Sequence, residues 1–202
     1  MPILDQFHPC IQDLIENTVH IEVDGNCGYH VIVALFAMGE NSWSLVHNHL
    51  LKEHGQWYDE YIDMLGSIDI YDQLKQSLRV DELSMVTMDK WMNITDMGYV
   101  IVSWYNIILV SLSLQQSIMF FPLRSQPPRD SFVNHIICIG HVYDNHFVQM
   151  DENQWMHGNI MFEEVDMNEQ NEDEGGVNEE DVDCSDAFNT SQVFAARDDV
   201  LH

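Results

Sequence analysis

Residues 23–39, VDGNCGYHVIVALFAMG, contain the cysteine whose surroundings are most suggestive of chemistry. Asp24, Gly25 and Asn26 are of the residue types that form tight turns and cap helices, and Cys27 follows them directly. A thiol in the first turn of a helix lies near the positive end of the helix dipole and near unpaired N–H groups. These favour the thiolate and could stabilise an oxyanion. Free cysteine is also among the most often buried residue types, so a packing role stays open.

A nucleophilic cysteine needs a base, which is most often a histidine. His146 follows a short turn and begins the strand-like run HFVQM, which makes it the leading candidate, and His141 is its competitor. The spacing C-x2-H-x4-H of Cys138, His141 and His146 is compatible with zinc, but the apolar alternation of HIICIGHV predicts that Cys138 faces the core. No phosphate-binding glycine pattern occurs. We therefore predict no metal and no cofactor.

Apolar periodicity predicts the elements that position these residues. The apolar residues after Cys27 recur at helical spacing as far as Met38, and Gly39 is a plausible stop. Further helices are predicted in WSLVHNHLLKEH, QWYDEYIDMLG and DKWMNITDMGYVIVSWYN. IILVSLS, NHIICIGHV and HFVQM are typical of strands, the last two joined by the turn YDN. Helices that precede a small late sheet indicate an α+β or α/β layered domain.

Charge and composition limit the possible partners. The chain has 202 residues, 46% of them hydrophobic, which suits one domain plus an extension. The net charge of −27 argues against nucleic acid and anionic membranes as partners. The opening residues do not resemble a secretory signal, so we expect reduced thiols and a cytoplasmic or nuclear location. We divide the chain into an N-terminal extension (1–18), a domain (19–162) and an acidic tail (163–202) with the composition of a disordered segment.

Four segments, in chain order, resemble the OTU (ovarian-tumour) cysteine protease domain. They are DGNCGYHVIVALFAMGE, DKWMNITDMGYVIVSWYNIILVSLS, FFPLRSQPP and NHIICIGHVYDNHFVQM, and the resemblance covers roughly residues 19–150. It is strongest to the OTU-like domains of plants, many of them carried by Mutator-like transposable elements. The resemblance implies a papain-like α+β fold with helices packed on a small late-strand β-sheet. It also implies a thiol hydrolase, expected to be a monomer, that cleaves isopeptide bonds to ubiquitin or a ubiquitin-like modifier.

The resemblance also implies roles for individual residues. Cys27 matches the nucleophile and His146 the general base. Asp24 matches the first residue of the D-G-N-C turn, which in the family helps to form the oxyanion region and in some members lies close to the histidine. The N–H groups around Gly25, Asn26 and Cys27 are the expected oxyanion donors.

The sequence departs from the family pattern at several positions. Many members carry an acidic or amide residue two positions after the histidine to orient it, whereas this chain has Val148. The remaining candidates for the orienting group are Asp24, Asn145 and Asp144. Gly28 replaces a large apolar residue, and His30-Val31 replaces the frequent Arg-Ala pair. Loss of the orienting group costs rate rather than fold, because a free imidazole spends less time in the productive geometry.

Three functions are therefore weighed. The first is an active deubiquitinase-type thiol protease. The second is a catalytically inactive OTU-like module that binds ubiquitin or another protein, of the kind that a transposon-derived relic would be. The third is an unrelated acidic interaction protein whose Cys27 only packs. The intact Asp24, Cys27 and His146 favour the first, Val148 favours the second, and the third leaves the ordered match of the segments unexplained.

Overall fold

The computed structural model describes most of the first 150 residues. These are residues 3–13, 15, 17–39, 42–79, 87–124, 136–143 and 146–150. The acidic tail predicted to be disordered, 163–202, lies outside the described residues, as do Asp144 and Asn145.

Within the described residues, the helices come before all strands except the first, and these late strands form most of the sheet. The helices are α1 (Pro9–Gln12), α2 (Cys27–Leu35), α3 (Trp43–Gln56), α4 (Tyr58–Leu65), α5 (Ile68–Ser77) and α6 (Ile94–Tyr105). The strands are β1 (Thr18–Val19), β2 (Ile108–Leu112), β3 (Ile118–Phe120), β4 (Ile136–Val142) and β5 (His146–Met150). Short 3₁₀ turns span Ile3–Gln6 and Met88–Lys90. The predicted α+β class is confirmed.

The sheet has five strands in the order β1-β5-β4-β2-β3. Strands β2 and β4 are parallel, and the other neighbours are antiparallel. The β4–β5 pair ends with Val142 opposite His146, so His146 lies where β4 ends and β5 begins. One end of the sheet, along the strand direction, is therefore formed by the C-terminal ends of β2 and β4 and the start of β5.

Each face of the sheet is covered by a different part of the chain. The larger core joins one face to the helices, and it contains Cys27 of α2 and Phe147 of β5. The smaller core covers the opposite face, where Val148 packs with Phe7 and Ile11 of the N-terminal segment. Alternation along a strand sends neighbouring side chains to opposite faces, which explains why Phe147 and Val148 belong to different cores. Helix α2 packs between α3 and β5, so the cysteine end of α2 is held against the sheet.

Several helix boundaries differ from the predictions. Helix α2 ends at Leu35 instead of continuing to Gly39, because Ala37 adopts a left-handed conformation with φ 49°. Trp91 precedes the helix in which it was predicted, since the Asn93 side chain accepts a hydrogen bond from the Thr95 N–H at 3.1 Å and caps α6. Helices α1 and α5 and strands β1 and β3 were not predicted, since their apolar patterns are short.

Cys10 is disulfide-bonded, so the expectation of reduced thiols is wrong for this residue. Neither Cys27 nor Cys138 is disulfide-bonded, and both are buried. Cys138 packs in the smaller core, as its strand pattern predicted. Among the described helices, none combines the length and the apolar character needed to cross a bilayer.

Candidate active site

The turn before α2 places Cys27 at the first residue of the helix. The Asp24 carboxylate accepts a hydrogen bond from the Asn26 N–H at 2.7 Å, which closes the turn. Gly25 lies between them at φ 88°, a left-handed conformation that glycine adopts without steric cost. Asn26 is the N-cap residue, but its side chain makes no capping hydrogen bond. The turn therefore leaves the N–H groups of the first helical turn without an acceptor from the cap side chain.

The Cys27 side chain is buried in the larger core and is 6% exposed. Burial raises the pKa of the thiol above its ordinary value, and the Asp24 charge also raises it. Hydrogen bonds with the backbones of Phe147, Gly28 and Cys27 itself act in the opposite direction but do not reverse the shift. The helix position alone favoured a lowered pKa, and that expectation is wrong because desolvation outweighs it. A raised pKa favours the neutral thiol over the thiolate near neutral pH.

His146 begins β5 and is 7% exposed. Burial lowers the pKa of its imidazole, and the nearby His20 lowers it further, so the ring is neutral near pH 7. Its Nδ1 atom is buried and has no hydrogen-bond partner among the described residues. Strand alternation puts the His146 side chain on the face of Val148, whereas the next residue, Phe147, meets Cys27. The structure thus brings the thiol to the backbone beside His146, at the free end of the strand.

His141, the competing base, lies on the opposite face of the strands from Val148. Its ring stacks on the ring of Phe147, with centroids 4.7 Å apart and planes 17° apart. Because Phe147 packs in the same core as Cys27, His141 is on the cysteine side of the sheet. Cys138 belongs to the other core, so these two members of the C-x2-H-x4-H pattern diverge. The described residues contain no group of three or more His, Cys, Asp or Glu that could hold a metal ion.

An open cleft of about 430 Å³ borders the site. Its wall includes Met92, which contacts the residue after Cys27, and His141, whose ring stacks on Phe147. Met92 packs so closely on Gly28, the residue after Cys27, that a Cβ there would lie 2.7 Å from the Met92 sulfur. The remaining lining is mostly uncharged, from the start of α6 and the segment between β2 and β3. The cleft therefore lies beside residues that contact the neighbours of Cys27, and Cys27 itself is not part of its lining.

Asp24 is held by a residue that the sequence marked only as a departure from the family. His30 Nε2 lies 3.0 Å from Asp24 Oδ2, and the Asn26 side-chain amide donates to the same carboxylate oxygen at 3.3 Å. Burial by itself would raise the pKa of Asp24, but the hydrogen bonds from Asn26 and His30 outweigh it and lower the pKa. Among the described residues, the hydrogen-bond partners of Asp24 are Asn26 and His30 and do not include His146. The spacing D-x5-H across a helix start was the only sequence signal for this pair.

The fold and the site thus define an α+β protein with a buried thiol at the start of a helix, set against the first residues of β5, an interior strand of the sheet. No family model matches the chain, and no curated protein sequence matches it significantly. Solved structures to which this chain is similar include viral OTU domains. The Hazara virus OTU bound to ubiquitin is 14% identical, with a TM-score of 0.44, and the match covers 75% of this chain and 84% of that chain.

Two further structures are similar to a comparable degree. The viral OTU domain protease from Dera Ghazi Khan virus is 9% identical with a TM-score of 0.47, covering 75% of this chain and 86% of that chain. The viral OTU domain protease from Farallon virus is 17% identical with a TM-score of 0.42, covering 75% of this chain and 87% of that chain.

Proposed function

We propose that this chain is an OTU-like thiol protease of the deubiquitinase type, which hydrolyses isopeptide bonds to ubiquitin or a ubiquitin-like modifier. Cys27 is the nucleophile and His146 the general base. The observation that carries the proposal is the contact between the Cys27 thiol and the backbone of Phe147, the residue directly after His146. The sequence resemblance of the D-G-N-C turn supplies the substrate class, and the plant, transposon-associated subtype remains a prediction from that resemblance.

The protonation states favour general-base catalysis over a preformed ion pair. A neutral imidazole at His146 accepts the thiol proton of Cys27 as sulfur attacks the isopeptide carbonyl, whose π electrons move to oxygen. The imidazolium then protonates the departing lysine amine, and a thioester remains on Cys27. Water that loses a proton to the imidazole cleaves the thioester, which restores the thiol and releases the carboxylate.

The oxyanion donors are backbone N–H groups of the turn and the first residues of α2. The Asn26 N–H is already donated to Asp24 at 2.7 Å, so Asn26 contributes mainly by holding the turn. The N–H groups of Gly25 and Cys27 are the donors that we assign to the oxyanion. Loss of one such donor costs roughly 100- to 1000-fold in kcat in well-studied hydrolases.

Two observations reduce the set of residues that could orient the His146 ring. Val148 is buried in an apolar core and has no hydrogen-bonding group. Asp24 is engaged with Asn26 and His30. We therefore favour Asp144 or Asn145, immediately before the histidine, over Asp24 as the orienting residue.

A second function is favoured by the same strand. His146 alternates onto the Val148 face while Cys27 packs on the Phe147 face, an arrangement that a non-catalytic module would tolerate. In that case the chain binds ubiquitin, or another protein, without cleaving it. This reading predicts binding of ubiquitin that survives Cys27→Ala and no covalent product with the wild-type chain.

The deciding experiment is reaction with a ubiquitin probe that carries a C-terminal electrophile. We expect a covalent adduct on Cys27, identified by peptide mapping, that is absent in Cys27→Ala and strongly slowed in His146→Ala. His141→Ala is the matched control, because its ring lies on the cysteine side but is not the assigned base. Labelling that needs His141 and ignores His146 would contradict the assignment of the base. A wild-type chain that binds ubiquitin but never reacts would establish the second function.

A further inference from the structure

His30 links the second turn of α2 back to the loop in front of that helix. Its Nε2 atom lies 3.0 Å from Asp24 Oδ2, and a carboxylate at neutral pH can only accept, so the Nε2–H of His30 is the donor. The bond spans the start of the helix, with Asp24 three residues before Cys27 and His30 three residues after it. The hydrogen bond between His30 and Asp24 therefore joins the residues on either side of Cys27 in the chain.

The His30 ring is itself held in place by a second helix. It packs against the indole of Trp43 in α3 at a centroid distance of 6.4 Å and an interplanar angle of 60°. The His30 side chain is 17% exposed and that of Asp24 32%, so the pair is partly shielded from water. A partly buried, charge-assisted hydrogen bond restrains geometry more strongly than an exposed one.

The same carboxylate holds the turn that carries the nucleophile. Asp24 accepts from the Asn26 N–H at 2.7 Å and from the Asn26 side-chain amide at 3.3 Å, and Asn26 is the residue immediately before Cys27. Gly25 sits inside this loop and has the widest conformational freedom of any residue type. Without the hydrogen bond from His30, the Asp24 carboxylate would keep only its bonds to Asn26, which belongs to the same turn.

We propose that His30 is a positioning residue, which holds Asp24 and thereby fixes the Asp24–Cys27 turn and its N–H donors relative to the thiol. The catalytic consequence rests on the proposed hydrolase function. The restraint of the turn by His30 does not depend on the proposed function, and it can be measured separately. His30 therefore acts through Asp24, without contact to the reacting carbonyl.

The test compares His30→Ala with His30→Arg, because arginine also donates to a carboxylate and occupies this place in many OTU sequences. His49→Ala is the matched control, since this half-buried histidine of α3 stacks on Trp104 and is not among the contacts of the turn. Two quantities are measured in the full chain: hydrogen exchange of the Asn26 amide, and kcat and KM for a fluorogenic ubiquitin C-terminal substrate.

In His30→Ala we expect Asn26 exchange to speed up about tenfold or more, and kcat to fall by roughly 10- to 100-fold with KM within about twofold. His30→Arg restores most of both, and His49→Ala changes neither. Unchanged Asn26 exchange in His30→Ala overturns the proposal, and so does an equal loss of kcat in His30→Ala and His30→Arg. A wild-type chain without hydrolysis whose Asn26 exchange still depends on His30 refutes the proposed function and supports the hold on the turn.

Discussion

Replacement of Gly98 by alanine tests how closely α6 must approach the sheet. Gly98 is buried in α6, and a Cβ there would lie 2.6 Å from one ring atom of Phe120 and 2.7 Å from two others. Phe120 is 1% exposed and its ring also packs edge-on against Tyr99 at 5.1 Å, so it has little room to move. The approach matters for the site, because the first residues of α6 and Ile118 of β3 both line the cleft.

Two opposing effects set the expected magnitude for Gly98→Ala. Alanine in place of glycine favours a helix by about 1 kcal/mol. Overpacking of a rigid core costs about 1–3 kcal/mol, and three ring atoms inside 3.0 Å place this site at the upper end. The net expectation is a loss of about 2 kcal/mol, equivalent to a decrease of roughly 4–8 °C in Tm for a chain of this size.

Urea unfolding followed by far-UV circular dichroism measures this loss, with Gly55→Ala as the control. Gly55 lies near the end of α3 with nothing within 4 Å of its Cβ position, so its substitution should stabilise by about 0.5 kcal/mol. Phe120→Leu should relieve part of the clash, which gives a favourable coupling of about 1 kcal/mol in a double-mutant cycle. If Gly98→Ala is as stable as the wild type and shows no coupling to Phe120, the close approach of α6 does not limit packing.

Three further predictions follow from buried ionisable groups. Burial lowers the pKa of both buried histidines of α3 to about 4, so the unfolded chain binds protons first and stability falls as pH drops from 6.5 towards 4. The loss is at most about 3 kcal/mol for each histidine, and His54→Phe should flatten the pH dependence of the urea midpoint. The rate at which Cys27 reacts with iodoacetamide should go on rising with pH beyond the point where an ordinary thiol levels off, because burial raises the pKa of the thiol, and peptide mapping that places the inflection below the ordinary value of about 8.5 would show a preformed thiolate. Arg124→Met leaves Glu53, which is 5% exposed, without its cation and should cost about 3 kcal/mol of unfolding free energy, whereas Glu60→Gln, at the exposed partner of the same arginine, should cost under about 1 kcal/mol.

The elements with long, regular patterns could be predicted from the sequence. The apolar run after Cys27, the β-branched runs of β2 and β4, and the HFVQM strand all form where their periodicity indicates. Gly66 closes α4 at φ 70°, as the position of a glycine after an apolar helix suggests. These features depend on neighbours in the chain, and local sequence therefore carries enough information to specify them.

Helix boundaries were less predictable, since they depend on capping contacts and tertiary packing. Trp91 has helical spacing to later apolar residues, yet α6 begins at Ile94 because Asn93 caps it. The N-terminal segment has no strong pattern, yet Phe7 and Ile11 cover a face of the sheet that the late strands leave apolar. A weak local pattern can thus be fixed by a large apolar surface elsewhere in the chain.

By itself, the sequence determined which residues were candidates: a thiol after a turn, a histidine at the start of a strand, and an acidic residue in the turn. Only the tertiary structure decided their surroundings. Desolvation by the core raises the pKa of the Cys27 thiol against the helix dipole, and strand alternation sets His146 on the other face from Phe147. The partner of Asp24 proved to be His30, because the helix that follows the turn brings that ring back over its own start. The protonation state of a side chain, its burial and the sheet face on which it lies depend on residues that are distant in the chain. The spacing of residues in the sequence could therefore not specify them.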